Sequence, residues 1–281
     1  MNDQQIREAF DLALELTKQC GPIVLEGFHN SSKDVASKGR HLDLVTEYDR
    51  GVEDVLIEGL KKRYPDHRML GEESSTKASR KEALDDRPTW IIDPIDGTVN
   101  FVRGVKFIAI SVALVVAKKL KIGILYNPCL DEMYTAIDGQ GAFLNGKKIR
   151  VSGIEDLKSA LVGHELTIAS HPLARPHMLG RGEEFIKECV GIRALGSAAL
   201  SLGYLASGNL DAYSIEYLKP WDIAAGAIII REAGGVVMNI NGGEYDILKP
   251  DIIAASSEKL AQRLLEIVRQ VNDKVNQKQV Q

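Results

Sequence analysis

The segment spanning residues 90–101 constrains the fold of this 281-residue chain more than any other stretch. It reads Trp-Ile-Ile-Asp-Pro-Ile-Asp-Gly-Thr-Val-Asn-Phe, so two carboxylates, Asp93 and Asp96, follow a short apolar run typical of a buried strand. Pro94 stiffens the chain between the aspartates, and Gly97 permits a tight turn after them. The segment therefore predicts a strand that ends in a rigid acidic turn.

Two carboxylates crowded at the end of a strand repel each other and lose hydration, so they are tolerated where a hard cation such as Mg²⁺ lies between them. For the short motif Asp-Pro-x-Asp-Gly alone, an acidic turn that merely ends the strand is the simpler interpretation. Thr98 and Asn100 extend the motif in register. The longer motif favours a metal site.

This motif resembles the signature of the inositol monophosphatase family, the Mg²⁺-dependent, lithium-sensitive sugar-phosphate phosphatases. Three further matches lie in the family order: Leu44-Val45-Thr46 with Asp49, Gly71-Glu72-Glu73-Ser74, and Trp221-Asp222-Ile223-Ala224-Ala225-Gly226. The resemblance runs from about residue 5 to about residue 270. It implies a layered α/β fold, an αβαβα sandwich of alternating helix and sheet layers, with the metal site between two halves.

The resemblance also implies which residues hold two or three Mg²⁺ ions. The metal ligands would be Glu72, Asp93, the backbone carbonyl of Ile95, Asp96 and Asp222. Asp93 would bridge two of the ions. For Asp222, the alternative interpretation is a helix N-cap, a position that aspartate fills well.

Catalytic roles follow from the same resemblance. Thr98, hydrogen-bonded to Asp49, would position and deprotonate the attacking water, and Glu72 would help through a weaker third ion. Glu73 would act behind the ligands by orienting neighbouring groups. Lys38 matches a family lysine near the metal-site loop, although a solvated surface lysine explains it equally well.

Substrate contacts are implied at three places. The phosphate would rest on backbone N–H groups of Gly97 and Thr98, where a helix begins and its dipole favours an anion. The polyol hydroxyls would contact Gly196, Ser197 and Ala198, which precede a helix, and would lie near Asp222 and Glu216.

Glu216 departs from the family pattern. In animal members a glutamate accepts hydrogen bonds from the ring hydroxyls, and counting back from Trp221 places Ile215 at that position. A shift of one residue in a strand turns a side chain to the opposite face. Either a local bulge returns Glu216 to the site, or polyol recognition differs in this chain. Lys219-Pro220 also differs from the animal sequences.

Periodicity and turn residues predict elements along the whole chain. Helices are expected over residues 3–28, 46–64, 197–207, 223–233 and 258–271, with a frayed tail after residue 272. Strands are expected over residues 108–116, 120–126, 132–137, 142–144, 147–151, 211–216, 236–239 and 252–255. Residues 77–87 are polar and predict a surface excursion. We expect two halves, 1–152 and 153–281, that form one compact unit.

Composition narrows the class of protein. A net charge of −4 gives no electrostatic footprint for nucleic acid or an anionic membrane. Three widely spaced cysteines, Cys20, Cys129 and Cys189, argue against a disulfide framework and for reduced thiols in the cytoplasm. No apolar run is long enough to cross a bilayer. The family resemblance implies a homodimer.

The leading hypothesis is hydrolysis of inositol monophosphates to inositol and phosphate. The same chemistry on fructose 1,6-bisphosphate, a 3′-phosphonucleotide or a sugar 1-phosphate is an alternative. Phosphatases with an aspartate nucleophile carry an Asp-x-Asp motif, but their acids are two residues apart and those here are three apart. A catalytically silent scaffold would have lost ligands, and every matched ligand is present in this chain.

Overall fold

The computed structural model describes residues 1–30, 35–37, 44–75 and 84–280. Within these ranges the helices are α1 Asp3–His29, α2 Glu47–Arg63, α3 Glu72–Ser75, α4 Thr98–Arg103, α5 Arg175–Glu188, α6 Ala198–Ala206, α7 Pro220–Glu232 and α8 Glu258–Val280. The strands are β1 Val35–Ser37, β2 Leu44–Thr46, β3 Arg68–Gly71, β4 Thr89–Asp96, β5 Ala109–Val116, β6 Lys119–Asn127, β7 Glu132–Ile137, β8 Ala142–Leu144, β9 Lys147–Ile149, β10 Leu161–Gly163, β11 Gly191–Arg193, β12 Ala212–Ile215, β13 Val236–Asn239 and β14 Ile252–Ala255.

The first half is organised by a seven-stranded sheet, in which β3 to β9 pair in chain order. Only β3 and β4 are parallel, and the rest form the antiparallel meander that the turn residues predict. Asn145 and Gly146 both have positive φ, which suits the two-residue hairpin between β8 and β9. The central strand β4 is buried along its whole length, so the acids at its end lie at the edge of a dry core.

The second half contains a five-stranded mixed sheet in the order β11-β10-β12-β14-β13. Strands β11, β10 and β12 are parallel, and β14 is antiparallel to both of its neighbours. The first sheet ends at Ile149 and the second begins at Leu161. The division at residues 152 and 153 remains a proposal.

Five layers alternate in the order helix, sheet, helix, sheet, helix. Helices α1 and α2 cover one face of the seven-stranded sheet, α6 and α7 lie between the sheets, and α5 and α8 cover the outer face of the five-stranded sheet. In β4, Trp90 and Ile92 face the outer helices while Ile91 faces the middle layer. A strand buried on both faces reads as a continuous apolar run, which confirms the layered α/β prediction.

Helix α7 approaches the first sheet closely because Gly123 has no side chain. A Cβ at Gly123 would lie 2.5 Å from the Ile228 side chain and 2.6 Å from the Ala225 carbonyl oxygen. The close packing fixes the position of α7, whose first turn carries Asp222.

The C-terminal helix is longer than predicted. Helix α8 runs to Val280, whereas the polar composition after residue 272 predicted a frayed tail. Two tertiary contacts explain the difference: Val275 packs against the outer apolar cluster, and Asn272 Oδ1 accepts a hydrogen bond from Arg181 at 3.1 Å. Contacts of this kind are invisible to a count of apolar residues along the helix.

Other boundaries also differ from the prediction. Helix α7 begins at Pro220 rather than residue 223, since proline is well suited to the first turn of a helix. Helix α5 and the short strands β3, β10 and β11 were not predicted. Three polar residues among the first eight of α5 obscure its periodicity, and the apolar runs of the strands are very short. Residues 76–83, most of the predicted polar excursion, lie outside the described residues.

Candidate active site

The end of β4 carries the two aspartates of the central motif. Asp93 pairs with Ser111 of β5 and Asp96 pairs with Ala109, so three steps on β4 match two steps on β5. Residues three apart in a regular strand point to opposite faces, and one extra residue at a bulge restores them to the same side. The bulge therefore lets both aspartates serve one site.

Helix α7 contributes a third carboxylate. One oxygen from each of Asp93, Asp96 and Asp222 lies within 4.8 Å of the others. Asp222 occupies the third position of the helix, and its Oδ2 accepts from the Lys219 backbone N–H at 2.7 Å. Lys219, and not Asp222, is thus the N-cap. Ser111 Oγ donates to the Trp221 carbonyl at 2.9 Å and ties the helix start to β5.

The three aspartates are electrostatically costly in the absence of a cation. Burial, followed by the charges of Glu72, Asp96 and Asp222, raises the pKa of Asp93 well above its ordinary value. Burial raises the pKa of Asp96 to about 7, and burial with the charges of Asp96 and Glu72 raises the pKa of Asp222. A close set of buried oxygen ligands fits a hard divalent cation, which would neutralise this repulsion.

Glu72 joins the cluster from α3, and a buried glutamate holds its turn. Asp93 and Glu72 share a side-chain hydrogen bond. Glu53 on α2 accepts from the backbone N–H groups of Glu73 and Ser74, both at 2.8 Å. Gly71 is required beside them, because a Cβ there would lie 2.6 Å from the Glu53 carboxylate.

Glu53 was missed by the sequence analysis. The sequence feature that could have indicated Glu53 is its position: Glu53 follows Asp49 by four residues and lies next to Val52 on the apolar face of α2. An acidic residue on the buried face of a helix requires partners, and here these are the backbone groups of the Glu72 turn. Glu73 takes part in this contact through its backbone N–H, which donates to the Glu53 carboxylate.

Asp49 and Thr98 do not make the predicted hydrogen bond to each other. Asp49 Oδ2 accepts from the Thr46 backbone N–H at 2.8 Å and from the Thr46 hydroxyl. Within the described part of the chain, Asp49 Oδ1 is buried without a hydrogen-bond partner. Thr98 Oγ1 donates to the Ile95 carbonyl at 3.2 Å. The capping box at the start of α2 engages Asp49, and burial raises its pKa to about 7.

The turn after β4 depends on Gly97. Its φ of +91° is disfavoured for other residues, and a Cβ there would lie 3.0 Å from the Phe107 carbonyl and 3.1 Å from the Gly196 carbonyl. Gly97 precedes the six-residue helix α4, which Thr98 begins. The predicted phosphate site and the predicted polyol loop are therefore in contact.

The loop at Gly196 meets the cluster directly. Ser197 Oγ donates to Asp96 Oδ2, and the Ala199 backbone N–H donates to the same oxygen at 2.8 Å. Asn100 Nδ2 donates to the Leu195 carbonyl at 2.7 Å and to the Phe107 carbonyl at 2.8 Å. Helix α6 thus begins against the cluster, with Ala198 as its first residue.

Glu165 is a second buried acid that the sequence analysis missed. Its carboxylate accepts from the backbone N–H groups of Leu195, at 3.0 Å, and Gly196, at 3.1 and 3.2 Å. Burial raises its pKa. The sequence indicates Glu165 only by placing a charged residue shortly after the apolar run Leu161–Gly163. The hydrogen bonds that Glu165 accepts show that it supports the Gly196 loop.

Glu216 is bound elsewhere than predicted. Ile215 is buried, and Glu216 Oε2 accepts from Nη1 of Arg181 at 2.5 Å. Arg181 is completely buried, so this carboxylate is its compensating charge. β12 ends at Ile215, with no bulge shown in its pairing that would restore Glu216 to the face of the family glutamate. Lys38 lies outside the described residues.

Comparison with known proteins gives a consistent result. The model of the inositol monophosphatase family matches residues 5–273. The chain is 42% identical over 253 residues to tomato (Solanum lycopersicum) inositol monophosphatase 3, covering 90% of this chain and 93% of that one. It is 41% identical over 261 residues to inositol monophosphatase 1 of Homo sapiens, covering 92% and 93%.

Solved structures share the fold. The Thermotoga maritima inositol monophosphatase superposes with a TM-score of 0.83 at 31% identity, covering 94% of this chain and 98% of that one. Two structures of an inositol monophosphatase II from Staphylococcus aureus are also similar. The one bound to inositol monophosphate has a TM-score of 0.79 at 26% identity and covers 95% and 96%. The one bound to 2′-AMP has a TM-score of 0.80 at 28% identity and covers 95% and 97%.

Proposed function

Because the chain belongs to the inositol monophosphatase family of metal-dependent phosphatases, we propose that it hydrolyses inositol monophosphates to inositol and phosphate with Mg²⁺. The observation that carries this proposal is the triad Asp93, Asp96 and Asp222, whose oxygens converge within 4.8 Å from two halves of the chain. Oxygen ligands in a rigid, largely buried frame suit Mg²⁺.

The metal ligands are assigned as the family resemblance implies. Glu72, Asp93 and the Ile95 carbonyl would hold one ion, and Asp93, Asp96 and Asp222 a second, with Glu72 near a third position. Bound Mg²⁺ lowers the pKa of a coordinated water, neutralises phosphate charge and stabilises the departing alkoxide. The hydrogen bond between Asp93 and Glu72 supports a shared ligand set.

The chain's own residues would orient the reactants. Thr98 would position the attacking water with its hydroxyl, once that hydroxyl leaves the Ile95 carbonyl. Asp49 would accept a proton, since its buried Oδ1 has no hydrogen-bond partner among the described residues and its pKa is raised to about 7. Backbone N–H groups at Gly97 and Thr98 would contact the phosphate.

The polyol contacts would come from the loop at Gly196, Ser197 and Ala198, which lies against Asp96. Glu216 is engaged by Arg181, so ring-hydroxyl recognition would not depend on it. This observation favours the second candidate, the same hydrolysis on another small phosphate ester such as fructose 1,6-bisphosphate, a 3′-phosphonucleotide or a sugar 1-phosphate. The complete set of ligands argues against a catalytically silent scaffold.

Phosphate release in Mg²⁺ from a matched panel tests the proposal. The panel contains inositol 1-phosphate, inositol 4-phosphate, fructose 1,6-bisphosphate and 3′-phosphoadenosine 5′-phosphate. Preference for the two inositol esters is the expected result. Preference for another member would keep the chemistry and change the substrate, whereas no release from any ester would refute the proposal.

Lithium inhibition provides a second test. Lithium would inhibit uncompetitively with respect to substrate, because it would occupy a metal position as product leaves. Insensitivity at roughly tens of millimolar would indicate a different second metal position.

We also infer a homodimer that forms through α5. Leu179 and Ile186 are exposed by 53% and 75% on one face of this helix, and Leu173 and Val190 flank it at 67% and 70%. Several exposed apolar side chains along one helix are typical of an interface between subunits. Replacing Ile186 with Glu should give a monomer by light scattering; an unchanged mass would exclude α5 as the interface.

The cytoplasm is the proposed location. All three cysteines are unpaired, which suits a reducing compartment. Among the described residues no helix is both long and apolar enough to span a bilayer. Cell fractionation against marker enzymes would test the assignment.

A further inference from the structure

A groove with a volume of about 800 Å³ lies between α1 and the strands β7 and β8. Helix α1 packs against β5, β6 and β7, and the sheet continues past the helix to β8. None of the residues that line the groove belongs to the candidate active site. Because pockets that bind small molecules typically enclose about 300–1,000 Å³, the groove is large enough to hold one.

The floor of the groove is apolar. Tyr126 on β6 pairs with Met133 on β7, and Thr135 pairs with Phe143 on β8, so these side chains share the face of the sheet that α1 covers. Ile137 continues the same face two residues further along β7. A peptide in the groove would bury its backbone amides against these side chains without hydrogen-bond partners. An alkyl chain therefore suits this surface better than a peptide.

Helix α1 supplies the wall of the groove. Arg7, Phe10, Leu14 and Lys18 all line it, and they follow one another at intervals of three and four residues, so they lie on one face of the helix. At a rise of about 1.5 Å per residue, this face is about 16 Å long. The groove is therefore elongated, with an apolar middle and a cationic side chain at each end.

The end at Arg7 favours an anion. The Arg7 guanidinium lies 5.5 Å from the centroid of the Phe10 ring, and its Nη2 donates to Gln140 Oε1 in the loop after β7. Gln140 is neutral, and the neighbouring acid, Glu8, is paired with Arg63 at 3.5 Å. In the part of the chain that the structure describes, no carboxylate forms an ion pair with Arg7. A carboxylate bound here would supply the missing charge.

The end at Lys18 differs from the end at Arg7. Asp131 lines the groove there, and its charge opposes a second anion. The Asn145 side chain accepts from the Met133 backbone N–H at 2.8 Å and donates to the Asp131 carbonyl at 2.7 Å, so its amide is already engaged. An occupant with one anionic head therefore places that head at Arg7 and its chain toward Lys18.

We propose that this groove binds one molecule of an unbranched alkyl carboxylate, a free fatty acid. Its carboxylate accepts from the Arg7 guanidinium, whose fork of donors matches two oxygens, and its chain runs along Phe10 and Leu14. The hydrogen bond between Arg7 and Gln140 joins α1 to the loop after β7. That closure excludes an α-helix of a partner, which is about 10 Å wide, and leaves room for a thin chain.

Titration calorimetry of the full-length protein with monomeric decanoate in Mg²⁺ tests the proposal. Binding should saturate at one decanoate per chain, and octanoate, which is two methylenes shorter, should bind about tenfold more weakly. Decyltrimethylammonium carries a chain of the same length on a cation and should bind about fivefold or more weakly than decanoate. Equal binding of the cation, or no saturable binding of decanoate, would overturn the proposal.

A matched pair of arginine variants locates the head group. Arg7→Gln should weaken decanoate binding about fivefold or more. Arg63→Gln is the control, because the Arg63 guanidinium also lies over an aromatic ring, that of Tyr64, at 5.3 Å, and does not line the groove. The control should keep the wild-type affinity within about twofold. Equal losses in the two variants would show that Arg7 has no specific role.

Two further variants test the path of the chain. Thr135→Phe places a ring on the floor of the groove at a strand position that tolerates aromatic residues, and it should abolish decanoate binding. Lys18→Gln should weaken binding less than Arg7→Gln does. Unchanged binding in Thr135→Phe, or a larger loss in Lys18→Gln than in Arg7→Gln, would contradict the proposed site. The two arginine variants decide the proposal even if Thr135→Phe does not fold.

Discussion

Ser197 donates a hydrogen bond from its hydroxyl to Asp96 and thereby joins the two halves of the chain at the carboxylate triad. Asp96 ends β4 of the first sheet, and Ser197 caps α6 in the middle layer by accepting from the Leu200 backbone N–H at 3.1 Å. The same hydroxyl thus serves helix and cluster. The geometry of the site depends on how closely α6 approaches β4.

Replacing Ser197 with Ala should weaken the site without disrupting the core. Asp96 would keep the Ala199 backbone donor and lose the hydroxyl, and loss of such a supporting group typically costs about 10- to 100-fold in metal affinity or activity. The measurement is the Mg²⁺ concentration for half-maximal phosphate release. The control is Ser201→Ala, which removes a buried hydroxyl that donates to the Ser197 carbonyl at 2.7 Å; equal effects would contradict the prediction.

The Glu72 turn should depend on Glu53 in a specific way. Glu53→Gln retains the shape of the side chain but replaces the carboxylate that accepts from the backbone N–H groups of Glu73 and Ser74. We therefore expect the Mg²⁺ concentration for half-maximal activity to rise by about tenfold or more. Glu232→Gln is the matched control, since Glu232 also accepts from two backbone N–H groups, those of Gly139 and Gly141. Both variants should lose about 1–3 kcal/mol of stability.

Only Glu53→Gln should alter the metal requirement. If both variants shifted it equally, the effect would be one of global stability, and Glu53 would have no special role in placing Glu72. Thermal unfolding in EDTA, measured beside the activation curve, makes the two effects separable.

The central motif could be predicted from sequence because its chemistry is local. Asp93, Asp96 and Gly97 occupy adjacent positions, and the spacing of their residue types already predicts an acidic turn after a buried strand. The layered fold followed from the apolar periodicity together with the family resemblance. Asp222 was found only through that resemblance, since an aspartate near a helix start is common.

The supporting contacts could not be predicted, because they join residues far apart in the chain. Glu165 bonds the backbone at Leu195, and Arg181 bonds Glu216 across 35 positions. Polarity patterns record that such residues are charged, but not which partner buries them. The absent Asp49–Thr98 bond has a different origin, since a local capping box with Thr46 competes for the carboxylate.

Asp93→Asn should abolish turnover and stabilise the metal-free protein. Asp93 is bonded to Glu72 and adjoins Asp96 and Asp222, so activity should fall below about 1% while loss of like-charge repulsion raises the Tm in EDTA. Asp138→Asn, at an exposed residue paired with Lys121, is the control and should change neither. Near-normal turnover, or a lower Tm in EDTA, would contradict the site assignment.

Metal-free protein should lose stability as pH rises. The pKa of Asp96 and that of Asp49 are raised from 3.8 to about 7 by burial, so the folded state binds more protons than the unfolded state between these values. The stability that these two protonated carboxyls contribute is therefore full below about pH 4 and is lost as pH rises through 7. The raised pKa values of Asp93 and Asp222 act in the same direction.

The measurement is Tm between pH 5 and 8 in EDTA and in Mg²⁺. In EDTA, Tm should fall by about 5 °C or more, and Mg²⁺ should abolish the decline because it stabilises the ionised carboxylates. Asp222→Asn should give a shallower decline in EDTA. A flat or rising Tm in EDTA would show that the carboxylates are not strained without metal.

The Arg181–Glu216 pair should govern stability and not substrate affinity. Glu216→Ala leaves a completely buried guanidinium without its ion-pair partner and should cost about 3–5 kcal/mol, whereas combining it with Arg181→Met should recover most of that loss. In the double variant, KM for inositol 1-phosphate should stay within about twofold of wild type. A large rise in KM with stability recovered would return Glu216 to the substrate site, because only a direct contact with the polyol would then remain to explain it.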